Sequence, residues 1–298
     1  MLENNGFINK LTNNGYFFIA PAVIILIVLI IYPFLYAINL SFQEWDMFSD
    51  KGRHYIGFAN YINLLSDPSF WHSLYITILL SFLSVSISIC IGLPVASILA
   101  KSGKAVGILR TVFLMPMVMT PVVIGMAFKF LMDPSNGLLN YLLSLAGIVG
   151  PRWVSDPNTA LLSIVIVDVW QWTPFIFLVL LAGFQGLPTA PYEAARVDGL
   201  SRWQIARFIS FPLLKPMFIL AILFRAIDSL KTFDIIFIMT GGGPGDVTTT
   251  LNILAYIKSF RLLKMGEGAA VVMIIWAIVF LFSQIFVILT REKRETQK

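Results

Sequence analysis

Charged side chains interrupt two of the long apolar stretches of this sequence. Asp168 lies near the middle of one stretch, and Arg225 and Asp228 lie within another. Positions 225, 228, 229 and 232 are spaced as i, i+3, i+4 and i+7, so Arg225, Asp228, Ser229 and Thr232 share one face of a helix. Such a face can hydrogen-bond a polar solute, bind a proton or sodium ion, or hold helices together through ion pairs.

For further residues beside these charges, the sequence likewise leaves open whether they bind a ligand or hold helices together. Lys231 and Asp234 form a second possible ion pair, which would be purely structural. Trp170 and Trp172 lie next to Asp168, but residues two positions apart point to different faces of a helix. At most one of the two tryptophans is therefore expected to reach a ligand bound beside Asp168.

The composition indicates which solvent surrounds these polar residues. Of 298 residues, 58% are hydrophobic and 12% are charged, whereas soluble domains carry about 25% charged residues. A helix needs roughly 20 apolar residues to cross a bilayer. Backbone groups in lipid must be satisfied within the segment, so these runs are expected to be helices. The sequence predicts an all-α membrane protein, one domain over 1–298, with six transmembrane helices at 16–42, 74–100, 106–131, 159–184, 212–240 and 269–290.

The basic residues predict the orientation of these spans. Lysine and arginine concentrate on the cytoplasmic side of short loops. One set of span ends carries Lys10, Lys101, Lys104, Arg110, Arg196, Arg202, Arg207, Lys215, Arg291, Lys293, Arg294 and Lys298. The other set carries Lys51, Arg53, Arg152, Lys258, Arg261 and Lys264. The imbalance favours both termini in the cytoplasm, as an even number of spans requires, although the last three residues weaken it.

One cytoplasmic loop, residues 191–208, has an unusual local chemistry. Pro191 can begin a short helix, because its missing N–H group costs nothing in the first turn. Gly199 can end that helix in a left-handed conformation. Ser201 and Gln204 have the spacing of a capping box, which predicts a second helix immediately afterwards. The loop is either a rigid knob that a partner grips or an ordinary amphipathic connector on the membrane surface.

The same loop resembles a known family motif. Glu193-Ala194-Ala195, then Gly199, then Ile209-Ser210-Phe211-Pro212 is similar to the EAA motif of ABC importer membrane subunits, with Phe211 where leucine is usual. The resemblance implies a type I ABC importer permease fold. It also implies that this loop is a coupling helix that docks on a cytoplasmic ATPase. The residues that carry this role over are Glu193, Ala194, Ala195, Arg196 and Gly199.

Other stretches resemble the carbohydrate-importing branch of that family. They are 57–61, 67–71, 170–175, 233–234, 240–244 and the residues from Thr248 onward. The resemblance implies a sugar permease similar to the smaller maltose-type subunits. Aromatic faces stack on sugar C–H surfaces, and charged groups bind hydroxyls. By position, the implied substrate-binding residues are Asp168, Trp172, Phe175, Arg225 and Ser229, with the choice between Trp170 and Trp172 left open.

The chain contains no motif that would let it work alone. The Gly-x-x-x-x-Gly-Lys-Ser/Thr sequence that holds ATP phosphates is missing, and the glycine-rich 241–246 lacks the lysine. No catalytic or metal-binding arrangement is visible, and no basic aromatic segment suits nucleic acid. The family resemblance therefore implies a transport subunit rather than an enzyme, with ATP and Mg on a partner ATPase. It implies a second homologous permease, an extracytoplasmic sugar-binding protein and a prokaryotic inner membrane. The alternative is an ion-coupled secondary transporter with Asp168 or Asp228 as its ion site.

Overall fold

The computed structural model describes residues 16–47, 52–100 and 104–295 of the chain. Several basic residues used for the orientation prediction lie outside the described residues: Lys10, Lys51, Lys101 and Lys298. The side chains of Lys104, Arg291, Lys293 and Arg294 are likewise outside the described part. The described chain is almost entirely helical, as the all-α prediction requires.

The helices are numbered here in chain order, and short 3-10 and π-helical turns are named separately. The α-helices are α1 (Tyr16–Leu26), α2 (Tyr32–Ser41), α3 (Ala59–Ser66), α4 (Pro68–Leu99), α5 (Lys104–Val118), α6 (Pro121–Leu131), α7 (Leu138–Leu145), α8 (Pro157–Gln185), α9 (Ala190–Val197), α10 (Arg202–Ile205), α11 (Phe211–Leu230), α12 (Asp234–Met239), α13 (Leu251–Tyr256) and α14 (Met265–Glu295). A 3-10 turn spans Trp153–Ser155, and π-helical turns span Ile27–Ile31, Ala206–Ser210 and Ile257–Arg261. Two short strands, β1 (Gln43–Glu44) and β2 (His54–Tyr55), pair antiparallel.

Helices that could cross a bilayer number five among the described residues, or six if one bent pair counts as a single span. The five are Ile19–Ser41, Pro68–Leu99, Pro157–Gln185, Arg202–Leu230 and Met265–Ile288, and the pair is Val106–Val118 with Pro121–Leu131. Between positions 21 and 33 every residue is exposed. That surface is almost wholly apolar, so it requires a solvent as apolar as lipid.

Two predicted spans are not single straight helices. Within 106–131 the axis bends by 95° between α5 and α6, because Thr120 precedes Pro121 and is held extended, at ψ 140°. Within 212–240 the helix ends at Leu230, and α12 begins only at Asp234. No proline marks this second break. The exact span ranges therefore stay predictions.

The chain divides into two compact units, of which 67–254 with 275–298 is the larger. In this larger unit, α8 packs against α4, α5 and α11. The same Asp-Pro signal begins α8 and α4: Asp156 accepts a hydrogen bond from the Asn158 amide at 2.8 Å, and Asp67 accepts one from the Ser69 amide at 2.9 Å. Each aspartate thereby satisfies an orphan N–H group of the first turn.

Close contact between α4 and α8 depends on a small residue. A Cβ atom placed on Gly92 would lie 2.9 Å from the Ile176 side chain, so no larger residue fits without displacing a helix. Beside this contact is an apolar cluster shared by α4, α8 and α11, made by Ala96, Leu99, Ile176, Phe177, Leu180, Leu181 and Ala221. This cluster is part of the apolar core of the larger unit.

The smaller unit comprises residues up to 66 together with 255–274. The buried Asn60 side chain donates to the carbonyls of Ser41 and Gln43, at 2.9 Å each, and so holds α3 against the β-hairpin. The ammonium groups of Lys258 and Lys264 contact Glu267 at 2.9 and 3.0 Å. Two of the three basic residues that weaken the orientation prediction are therefore paired with a carboxylate.

Candidate functional site

The larger unit contains a buried polar cluster between α8 and α11. The side chains of Asp168 and Arg225 have no exposed surface, and Oδ2 of Asp168 forms an ion pair with Nη2 of Arg225. Nη1 of Arg225 contacts Oδ2 of Asp228 at 3.1 Å, and the Asp228 side chain is 43% exposed. Removing charges from water is costly, so such groups persist only where partners are held in place. The structure therefore brings both predicted carboxylates to one guanidinium.

Trp172 completes the wall of this polar cluster. The guanidinium carbon of Arg225 lies 5.6 Å from the centre of the Trp172 ring, within range of a cation–π interaction. Trp172 is one helical turn beyond Asp168 on α8, so both side chains point to the same side. The ring thus presents an apolar face beside a set of charged groups.

Trp170 lies on a different side of α8. It is 42% exposed and packs edge to face against Phe128, with ring centres 5.1 Å apart. It also lines an apolar cavity of about 850 Å³ between α5, α8 and α4. The structure therefore brings Trp172, and not Trp170, to the polar cluster.

Two further predicted residues behave differently from each other. Ser229 is 2% exposed, lies one turn from Arg225 on the same face of α11, and its hydroxyl has no hydrogen-bond partner among the described residues. Phe175 instead packs against the apolar cluster around Phe177 and Leu180. Ser229 thus belongs to the polar cluster, whereas Phe175 belongs to the apolar packing beside it. Its role as a ligand-binding residue stays a prediction.

A cavity of about 160 Å³ opens beside Trp172. Its lining consists of Pro121, Trp172, Asp228, Lys231, Thr232, Phe233, Asp234 and Ile235. The break between α11 and α12 supplies several of these residues, so the interruption of the predicted fifth span forms one wall. In the part of the chain that the structure describes, no group of three or more His, Cys, Asp or Glu side chains is arranged to hold a metal ion.

One polar residue of α4, Ser84, also lies at the cluster, and the sequence reasoning missed it. Thr77, Ser81, Ser84 and Ser88 are all buried, and Ser84 lies beside the carboxylate of Asp168. The spacing of four, three and four residues puts them on one face of α4. That periodicity was the available signal, because hydroxyls buried along one stripe of an apolar helix need a polar neighbour.

The loop after α8 has the conformation that its residues predict. Gly199 adopts φ +73°. The Leu200 amide bonds the Ala195 carbonyl at 3.0 Å, and the Gly199 amide bonds the Arg196 carbonyl at 3.2 Å. These two bonds define a Schellman motif, which ends α9. The predicted left-handed cap of α9 is confirmed.

A capping box starts the next helix, also as predicted. The Ser201 hydroxyl accepts from the Gln204 amide at 3.3 Å, and the Gln204 side chain accepts from the Ser201 amide at 2.8 Å. In addition, the Tyr192 hydroxyl donates to the Ser210 hydroxyl at 2.9 Å. This bond ties α9 to the turn that leads into α11. The sequence reasoning gave Tyr192 no role.

One side of α9 is exposed and the other is buried against the protein. Glu193, Ala194 and Arg196 are exposed, whereas Ala195 is only 3% exposed. Ala195 already packs inside the larger unit, so only Ala194 of the two alanines faces the surroundings. The coupling role of Ala195 stays a prediction. Val197 is 88% exposed, so an apolar side chain stands next to the exposed charges.

The comparison with known families identifies the class of protein. Residues 88–295, well over half of the chain, match the family model described as the inner membrane component of binding-protein-dependent transport systems. The chain therefore belongs to this family. It is a multi-pass membrane permease subunit and not an enzyme. Nothing in these comparisons supports the alternative of an ion-coupled secondary transporter.

Individual relatives agree over nearly the whole length. The chain is 36% identical over 281 residues to the trehalose/maltose transport system permease protein MalF of Thermococcus litoralis, covering 94% of this chain and 95% of the relative. It is 33% identical over 277 residues to the sulfoquinovosyl glycerol transport system permease protein SmoG of Agrobacterium fabrum, covering 92% and 89%. Another relative is the probable ABC transporter permease protein YurN of Bacillus subtilis, 32% identical over 272 residues and covering 90% and 92%. The predicted ABC permease family is confirmed.

The fold matches a solved ABC transporter. A structure of the bacterial alginate ABC transporter, in complex with an alginate pentasaccharide-bound periplasmic protein, has a TM-score of 0.80 and 20% identity, covering 93% of each chain. A second structure, described as importing the acidic polysaccharide alginate, has the same TM-score of 0.80. At this identity the likeness concerns the fold, and it confirms the predicted fold class.

Proposed function

We propose that this chain is the permease subunit of an ATP-driven importer of a saccharide or related polyol. The observation that carries the proposal is the buried cluster of Asp168, Arg225 and Ser229 beside the Trp172 ring. Carboxylate and hydroxyl groups bind sugar hydroxyls, and the indole face stacks on sugar C–H groups. The names of two relatives, which refer to trehalose/maltose and sulfoquinovosyl glycerol transport, support the same substrate class.

The loop 191–208 is proposed to dock on a cytoplasmic ATP-binding subunit. Its exposed Glu193, Ala194 and Arg196 supply the contact surface, and the Schellman motif at Gly199 makes the loop rigid. ATP and Mg belong to that partner, so this chain performs no hydrolysis. A movement of the docked loop reaches the polar cluster through α10 and α11, which run as one helix from Arg202 to Leu230.

Two further partners complete the proposed importer. A second homologous permease faces this chain across the transport pathway, and an extracytoplasmic binding protein delivers the sugar. The family description, which names binding-protein-dependent transport, supports the binding protein. Both termini are proposed to lie in the cytoplasm, since the loop 191–208 must meet an ATPase there. The charge bias of the loops supports this orientation.

The proposed sugar site is tested with matched tryptophan variants. Trp172→Ala removes the ring beside Arg225, and Trp170→Ala removes a ring of equal size on another side of α8. We expect Trp172→Ala to lower uptake of radiolabelled sugar by the reconstituted complex about fivefold to 150-fold, if the ring contributes the 1–3 kcal/mol that an aromatic side chain contributes to a stacked nucleic-acid base. Trp170→Ala should retain uptake. Equal uptake by both variants, with both complexes assembled, would remove Trp172 from the site.

A further inference from the structure

The charge balance of the polar cluster restricts the ligand that it can accept. Arg225 is the cation of this cluster, and Asp168 and Asp228 occupy its Nη2 and Nη1 atoms. Two carboxylates therefore face one guanidinium. An incoming anion would find this guanidinium already neutralised and would meet an excess of negative charge.

The cavity beside Trp172 has the same balance. Asp228 and Asp234 line it together with Lys231, so one ammonium again faces two carboxylates. Lys129 on the neighbouring α6 donates from Nζ to the Ile238 carbonyl at 3.0 Å instead of lining this cavity. In both places the carboxylates of the described residues outnumber the cations, and Asp228 belongs to both sets.

Several polar atoms of the cluster remain without partners, and two of them belong to its charged groups. They are Asp168 Oδ1, Arg225 Nε, the hydroxyls of Ser84, Ser88 and Ser229 and the Oε1 atom of Gln171, each buried and with no hydrogen-bond partner among the described residues. A buried polar group of this kind is costly until something bonds it. The hydroxyl groups of an uncharged sugar carry donors for Asp168 Oδ1 and Gln171 Oε1 and acceptors for Arg225 Nε. A carboxylate, sulfate or phosphate group carries no donor for Gln171 Oε1.

We infer that the ligand of this cluster is an uncharged saccharide, and that Asp228 excludes anionic sugars. The inference rests on the proposed sugar site and narrows its substrate class. It separates two possibilities that the comparisons leave open, since one relative is named for trehalose/maltose and a structure of the same fold belongs to an importer of acidic alginate.

The test measures binding to the assembled transporter in lipid nanodiscs, without the binding protein, by isothermal titration. The probes are maltose and trehalose, with maltobionate and trehalose 6-phosphate as their anionic counterparts. We expect each neutral sugar to bind at least about tenfold more tightly than its counterpart, because one unit charge at close range changes affinity by about that factor or more.

A variant that removes the charge of Asp228 tests whether this carboxylate is what excludes anionic sugars. Asp228→Asn should raise the ratio of the affinity for each anionic sugar to the affinity for its neutral counterpart about tenfold, since it removes one negative charge at constant size. The matched control is Asp246→Asn, which removes an exposed carboxylate near His72, away from the cluster. It should change neither affinity.

The outcomes separate the inference from the function on which it rests. Equal affinity for neutral and anionic sugars in the unmodified transporter would overturn the charge inference and leave the sugar site standing. An unchanged ratio in Asp228→Asn would do the same. Binding of none of the four sugars would refute the proposed sugar site, and the inference with it.

Discussion

Replacing Arg225 by methionine should destabilise the assembled transporter more than removing either carboxylate bonded to it. Methionine keeps an unbranched apolar stem like that of arginine but lacks the guanidinium group and its charge. The buried Asp168 then loses its counter-ion, and Asp228 remains close to it. An uncompensated charge in a fully buried position is the most costly of the three possible losses.

The expected magnitudes follow from burial. Removing one partner of a fully buried pair costs about 3–5 kcal/mol, which is the range expected for Arg225→Met. Asp168→Asn keeps the shape and leaves Arg225 paired with Asp228, so about 1.5–3 kcal/mol is expected for the lost charged hydrogen bond. Asp228 is 43% exposed, and solvent screening limits the loss in Asp228→Asn to at most about 1 kcal/mol.

The assay is the rate at which each purified complex loses its monodisperse state at one fixed temperature. Rates are preferable to midpoints here, because unfolding of such assemblies is usually irreversible. Where the loss appears in the unfolding rate, each 1.4 kcal/mol is a factor of about ten. Arg225→Met should therefore decay at least about tenfold faster than Asp228→Asn. Asp246→Asn, on an exposed contact to His72 of 3.8 Å, is the matched control and should decay like the unmodified complex.

The double variant decides whether the pair itself is responsible. If Asp168→Asn is added to Arg225→Met, the buried carboxylate that lost its partner is gone, so the double variant should be no less stable than Arg225→Met alone. Two results would show that the ion pair does not govern stability. One is a double variant whose free-energy change equals the sum of the two single changes, so that their rate factors multiply. The other is an Arg225→Met complex as long-lived as Asp228→Asn. The reasoning from burial would then be wrong.

The remaining predictions concern the loop 191–208. Glu193→Lys reverses an exposed charge on α9 and should reduce substrate-stimulated ATP hydrolysis at least about tenfold in assembled complexes. This is the loss expected for a charged interface contact that contributes about 2 kcal/mol. Unchanged stimulation would contradict the docking role. Gly199→Val places a β-branched residue at φ +73°, costing about 1–2 kcal/mol, and should show the same uncoupling. Tyr192→Phe removes only the hydroxyl that bonds Ser210, and we expect a partial, roughly severalfold loss of stimulation, since such a bond contributes about 1 kcal/mol. For the orientation, a cysteine replacing Ser201 in a Cys90→Ala background should react with an impermeant maleimide in inside-out vesicles and not in right-side-out ones.

Local chemistry explains what could be predicted from the sequence. The Schellman motif at Gly199 and the capping box of Ser201 and Gln204 depend on residues within a few positions of each other, so their spacing is sufficient. The helical class and the apolar stretches follow equally directly from composition. The two interruptions differ in this respect. Pro121 could have signalled the bend after α5, whereas nothing in the residues 231–233 distinguishes the end of α11 from a continuing helix.

The composition of the polar cluster could be predicted only in part, because it depends on which helices pack together. The helical period places Arg225 and Ser229 on one face, but the tertiary packing decides which helix lies against that face. Asp168 is 57 residues away in the chain, and Ser84 comes from a third helix. The same limit applies to Ala195: the motif marks it as small, but only packing decides whether its small size serves a partner or the protein itself.

The continuity of one helix determines how the loop and the cluster can communicate. Between Arg202 and Leu230 the helix has no break, and at 1.5 Å per residue Arg225 lies about 35 Å along the axis from Arg202. The π-helical turn Ala206–Ser210 lies at its beginning, where the Tyr192 hydroxyl bonds Ser210. A displacement of α9 would therefore enter this helix at its N-terminal end. Arg225 lies near the other end and bonds Asp168 of α8, so the polar cluster is where such a movement would change the contacts offered to a ligand.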